Sequence, residues 1–162
     1  MTQRLVPDLV LTDAGWQTGR VVVVEAGRID ALEPVPRRIA LRLAAEVVRV
    51  GRASGHEIEP IYGLATQRFL DAAEGRGLAE LEADIAASAR HLSGGRPSLL
   101  QDVLRKRRTE IDDLNGYVVA EGRRLGVPTP FNEKVVELFH RHPVGTLTPD
   151  PAHLAPLLAM LP

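Results

Sequence analysis

At Arg37 the hydrophobic periodicity of the chain changes, and this limits the fold more than any other feature. Before that point, Leu5 to Leu11 and Val21 to Val24 are runs rich in β-branched and aliphatic residues. Ala26-Gly27 then punctuates a hairpin into Arg28 to Leu32. Asp13-Ala14-Gly15 marks an earlier turn, and Pro34 and Pro36 end the strand pattern. After Arg37, apolar residues recur every three or four positions. Ile39, Leu43, Val47 and Val50 form one helical face, and Leu78, Leu81, Ile85, Ala89 and Leu92 form the clearest stripe in the chain. Shorter helices are predicted over Thr66 to Ala73 and on the apolar side made by Leu99, Leu100, Val103 and Leu104. Gly94-Gly95-Arg96-Pro97 separates that last helix from the long stripe.

Cap signals punctuate the rest. Thr109-Glu110-Ile111-Asp112 has the form of a capping box, opening a helix that buries Ile111, Leu114, Val118 and Leu125 and closes at Gly126. Thr129-Pro130 and Asp150-Pro151 each place a capping side chain before a proline at the first helical position. The expected architecture is mainly α: a helical bundle over residues 37–162 with a small β appendage over residues 1–36. About three short strands bury too little surface to hold together alone. Their unpaired edges call for a partner surface, and a homodimer is expected.

Composition narrows the function classes. A formal net charge of -1 with 25% charged residues gives no reason to expect nucleic acid or a membrane surface as partner. The chain has no cysteine, which excludes disulfides and thiolate metal sites. The longest uninterrupted apolar stretch, Leu157 to Leu161, is far too short to span a bilayer, and no basic segment leads into an apolar run at the N-terminus. A cytoplasmic protein is expected. His140 and His142 stand two apart, a spacing that on a helix turns them to nearly opposite sides, so no metal site is expected there.

Three motifs occur in a fixed order: Ser98-Leu-Leu-Gln-Asp102, Thr109-Glu-Ile-Asp-Asp-Leu-Asn-Gly116 and Gly126-Val-Pro-Thr-Pro130. Together they resemble the C-terminal domain of the ketopantoate reductases, and a looser likeness runs from about Ala45 to about Leu157. The resemblance implies a helical domain of the 6-phosphogluconate dehydrogenase C-terminal-domain-like fold. In that family a Rossmann domain binds NADPH and the helical domain closes over a 2-oxo acid. It also implies a lysine on the first long helix that protonates the forming alkoxide. A glutamate in the Thr-Glu-Ile-Asp motif and a serine twelve residues earlier hold substrate hydroxyls. The matching positions here are Glu110 and Ser98. Asn115, from the Asn-Gly pair of the second motif, is a third candidate for substrate binding, with close helix packing as its structural alternative.

The rest of the family pattern is missing. No Gly-x-Gly-x-x-Gly follows a strand, so no cofactor is expected to bind. The family's lysine-bearing helix should precede Leu41, where the β segment stands instead, and the two lysines of the chain are Lys106 and Lys134. A second resemblance lies at the front, where Val21 to Leu32 is similar to the N-terminal strands of amidohydrolases. Those enzymes continue into a His-x-His pair, whereas the first histidine here is His56.

Each candidate has a structural alternative. Glu110 is either a substrate-holding or acid/base carboxylate, or a first-turn acid that favours the helix dipole by roughly 0.3–1 kcal/mol. Ser98 is either a ligand hydroxyl or an N-cap after Pro97. On one straight helix the two would lie about 18 Å apart, so they converge only if the helix breaks between them. Arg105-Lys106-Arg107-Arg108 reads as a solvated face, with an anion site as the minority reading.

Three functions follow from these residues. The leading one is a domain repurposed for nicotinamide-independent acid/base chemistry by Glu110, of isomerase, lyase or cyclase type, on a small oxo or hydroxy compound. The others are a non-catalytic ligand-binding or dimerisation module, and the substrate half of a split reductase whose Rossmann domain is a separate chain.

Overall fold

The computed structural model describes the backbone of residues 2–5, 10–12, 15–17, 21–25, 28–33, 35–61, 63–89 and 97–161. Side-chain environments are described from Arg38 onward within these, except at residues 86, 88, 89 and 151. The Asp13-Ala14 and Ala26-Gly27 turns, Leu92 and the Gly94 to Arg96 break lie outside the described residues. The chain divides into two compact units, Met1–Ala40 with Asp150–Pro162 and Leu41–Pro149.

The first unit holds strands β1 (Thr2–Leu5), β2 (Val10–Thr12), β3 (Gly15–Gln17), β4 (Val21–Glu25) and β5 (Arg28–Glu33). Pairing is antiparallel in the order β1-β4-β5, with a register irregularity between Val23 and Val24, and β2 pairs with β3 separately. At the other end of this unit, Asp150 caps a 3-10 turn over Pro151–Leu154, its carboxylate accepting from the Ala152 N–H at 2.8 Å. Helix α7 (Ala155–Leu158) follows directly.

The second unit is helical. Helix α1 (Val35–Ala53) enters it and is buried on two sides. One side carries Leu41, Ala45 and Val48, and the other carries Ile39, Glu46 and Val50. The stripe expected on this helix is therefore only half right: Val47 is 41% exposed, because the helix buries two narrow faces instead of one broad one. Helices α2 (Thr66–Ala73) and α3 (Leu78–Ala89) build one core cluster with α1. Leu41, Phe69, Ala72 and Leu81 form its centre, with Leu78 and Ile85 packed around them. The stripe through Leu78, Leu81 and Ile85 thus does what its spacing predicts.

Helix α4 (Ser98–Leu104) buries no residue fully, and Leu104 is exposed. The chain then makes a turn, with Lys106 in the left-handed region at φ 56°, that ends the helix before Thr109 is reached. A π turn over Asp112–Gly116 leads into α5 (Tyr117–Leu125). The Gly116 N–H donates to the Ile111 carbonyl at 2.9 Å, five residues back, where an α-helix would reach back four. That extra residue shifts the buried face by one position. The spacing predicts Leu114 and Val118 inside, but Leu114 is 48% exposed and the buried residues after Ile111 are Val119 and Gly122. Gly126 closes α5 at φ 70°, as its position after the last apolar residue predicts. Helix α6 (Pro130–His140) packs back against α5.

Candidate functional site

The polar centre of the helical unit is built around a residue that the sequence did not single out. Glu46, in the middle of α1, is 2% exposed. Its carboxylate accepts the backbone N–H groups of Phe131 and Asn132 at 2.8 and 2.9 Å, and the Asn132 side-chain amide at 2.6 Å. It therefore caps the first turn of α6, whose orphan N–H groups and dipole favour an acceptor at that end. Thr129, the expected cap, makes no side-chain cap bond, and its buried Oγ1 has no hydrogen-bond partner. Pro130 does occupy the first turn as its motif predicts.

Asn132 carries the connection further. Its amide also donates to the Leu43 carbonyl at 3.4 Å, and its Oδ1 accepts from the Asn115 amide at 2.9 Å. Asn115 lies in the π turn, so the chain Glu46–Asn132–Asn115 ties α1, α6 and the π turn together. Half-buried Asn115 has committed a donor to this network.

Glu110 stands just ahead of the π turn. Its backbone carbonyl accepts from the Asp113 and Leu114 N–H groups, so the backbone there is fixed. Its side chain is exposed and makes no ion pair or hydrogen bond among the described residues. The acids around it differ: Asp102 accepts from Arg107 at 2.6 Å, and Asp112 lies 2.6 Å from the His140 imidazole and 3.9 Å from Arg108. The expected capping box does not form, because the π turn starts after Ile111 without a side-chain cap. Ser98 is the first residue of α4, exposed, and its hydroxyl is likewise uncommitted among the described residues. The break between the two comes from the Lys106 turn.

Two concavities flank this region, and neither is lined by Ser98, Glu110 or Asn115. One is a cleft of about 290 Å³ between the segment Val103–Asp112 and the segment Phe139–Leu147. The other is an open groove along α5 and α6, bordered by Glu137, whose carboxyl is held below the ordinary carboxylate range by Lys134 first and by Arg141. Among the described residues, no three His, Asp or Glu side chains gather as a metal-binding group. Nor is any helix long and apolar enough to cross a membrane.

What these elements define is a helical domain whose paired asparagines and buried glutamate brace a turn that presents an uncommitted carboxylate. The family described as "Ketopantoate reductase PanE/ApbA C terminal" matches residues 22–142, and the chain belongs to that family. It is similar to the 2-dehydropantoate 2-reductases of Streptococcus pyogenes serotypes M3 and M1, each 44% identical over 45 residues. That segment is 27% of this chain and 15% of each relative's length. No solved structure matches the chain.

Proposed function

We propose that the helical unit is a ligand-holding module for a small 2-oxo or 2-hydroxy acid of the 2-dehydropantoate type, held through Glu110 and Ser98. The observation that supports this most is their shared state: among the described residues both side chains are exposed and uncommitted, whereas nearby Asp102 is engaged by Arg107 and Asp112 by His140 and Arg108. An ionised carboxylate accepting a ligand hydroxyl forms a charge-assisted bond, the stronger kind. Hydride transfer is not assigned to this chain's own residues. The resemblance puts the family's proton donor before Leu41, and neither Lys106 nor Lys134 lies there. Reduction would then need a separate nicotinamide-binding domain that also brings a proton donor.

The reading of Glu110 as a base in an isomerase, lyase or cyclase draws on the same free carboxylate. Its exposure weighs against it, because general bases act best where water is excluded. A second copy of the chain remains the proposed partner for the strand edges.

Titration with pantoate, followed by amide NMR, tests the module. Saturable shifts should centre on the residues flanking Ser98 and Glu110. Glu110→Gln should weaken binding by about tenfold or more, the worth of a hydrogen bond to a charged group. Ser98→Ala should cost about fivefold. Unaltered affinity in both variants would remove the assignment.

A further inference from the structure

The basic run at residues 105–108 and the pair His140 and His142 are absorbed by none of this, yet Arg107 and Arg108 of the run line one cleft with both histidines. Helix α6 ends at His140, so His142 lies beyond it and both histidines line the same cleft, contrary to the opposite-sided placement that helical spacing predicts. The walls of the cleft are apolar, from Val103, Ile111, Phe139 and Leu147. Arg107 and Arg108 also line it, and each has a carboxylate partner. Arg107 is tied to Asp102, whereas the Arg108 side chain is 79% exposed and reaches Asp112 only at 3.9 Å. Most of its donors are therefore open to a ligand.

The backbone that shapes the cleft is held in an uncommon form. Lys106 is the one non-glycine residue with positive φ among the described residues. It lies against Gly145, itself at φ 82°, where a Cβ would come within 3.0 Å of the Lys106 carbonyl oxygen. Two left-handed positions are thus pressed together at the edge of the cavity. Residues held this way persist where the surrounding structure over-determines them, and they cluster at ligand sites.

We propose that this cleft binds a small amphipathic carboxylate, its anionic head at Arg108 and its short aliphatic body against Val103, Ile111, Phe139 and Leu147. A volume of about 290 Å³ suits a ligand of that size, and an apolar wall with few convergent polar groups is the common make-up of such sites. The site is separate from Glu110 and Ser98 and does not depend on the function proposed for them.

Amide NMR titrations of the 162-residue chain with hexanoate, acetate and inorganic phosphate test the idea. Hexanoate should give saturable shifts confined to Val103–Asp112 and Phe139–Leu147, and bind at least about tenfold more tightly than acetate, since each buried methylene adds affinity. Arg108→Gln, at an exposed position, should weaken hexanoate by about fivefold or more, while Arg105→Gln, in the same basic run but outside the lining of the cleft, should leave it unchanged. Phosphate or acetate binding as tightly as hexanoate would mean that charge alone acts, and would overturn the proposal. So would hexanoate shifts centred on Ser98, or none below about 10 mM, an affinity too weak to mark a built site.

Discussion

Glu46 puts a carboxylate into the core of the helical unit, and its worth lies in what would be left behind without it. Phe131 and Asn132 would each lose the acceptor for a backbone N–H, and the Asn132 amide would lose its shortest bond. Each buried donor left unpaired costs about 1–3 kcal/mol. Glu46→Ala should therefore destabilise the fold by about 3 kcal/mol or more in chemical denaturation, and a loss under about 1 kcal/mol would show that water replaces the carboxylate easily. Thr129 gives the opposite case. Its hydroxyl is buried without a partner, so Thr129→Val, which keeps the branched shape, should be neutral or stabilise by up to about 1 kcal/mol. Were Thr129 the cap that its sequence suggests, the same change would cost about 1 kcal/mol. A denaturation midpoint that falls in this variant would restore the sequence reading. Neither role was legible beforehand. Glu46 sits among alanines and valines where a charge reads as a solvent-facing position, and its partners lie 85 and 86 residues away. Ser98 and Glu110 stand as candidates only because two spaced motifs carry them.

At the scale of elements, the helices of the core could be read from their periodicity, and the exception has a local cause. The stripe on α3 survives because nothing interrupts its 3.6-residue repeat. The stripe from Ile111 fails after one turn because the π turn inserts a residue, and five-residue hydrogen bonding leaves no signature in an apolar pattern. The meeting of α5 and α6 shows the consequence. The shift brings Gly122 to the interface, where a Cβ would come within 2.7 Å of both Thr129 Cγ2 and the Val127 carbonyl oxygen. Alanine is the better helix former by about 1 kcal/mol, so propensity alone predicts that Gly122→Ala stabilises. Overpacking against backbone costs about 1–3 kcal/mol and cannot be relieved by rotating a side chain. The variant should lower the melting temperature; a rise would mean that α5 and α6 separate without cost.

At the scale of the whole molecule, the question is whether the residues proposed to hold the acid work alone or as part of a nicotinamide site. The family match covers residues 22–142, and it is a match to the C-terminal region of the ketopantoate reductases. Among the described residues no glycine-rich turn joins a strand to a helix, the arrangement that would set a pyrophosphate against helix N–H groups. The described strands pair only antiparallel, whereas that cofactor fold is built on parallel strands with helical crossovers. A ligand pair that shares one catalytic complex is thermodynamically coupled, each changing the other's affinity by the same factor. If the chain holds the acid but no cofactor, that factor is one. Pantoate should then bind the 162-residue chain with the same affinity in the presence and absence of saturating NADPH, and calorimetric titration of NADPH alone should show no binding tighter than about 100 μM, or roughly 5.5 kcal/mol. Low-micromolar NADPH binding, or a change of about threefold or more in pantoate affinity when NADPH is added, would mean that the chain assembles a nicotinamide site unlike the one its family uses, and would bring hydride transfer back to this polypeptide.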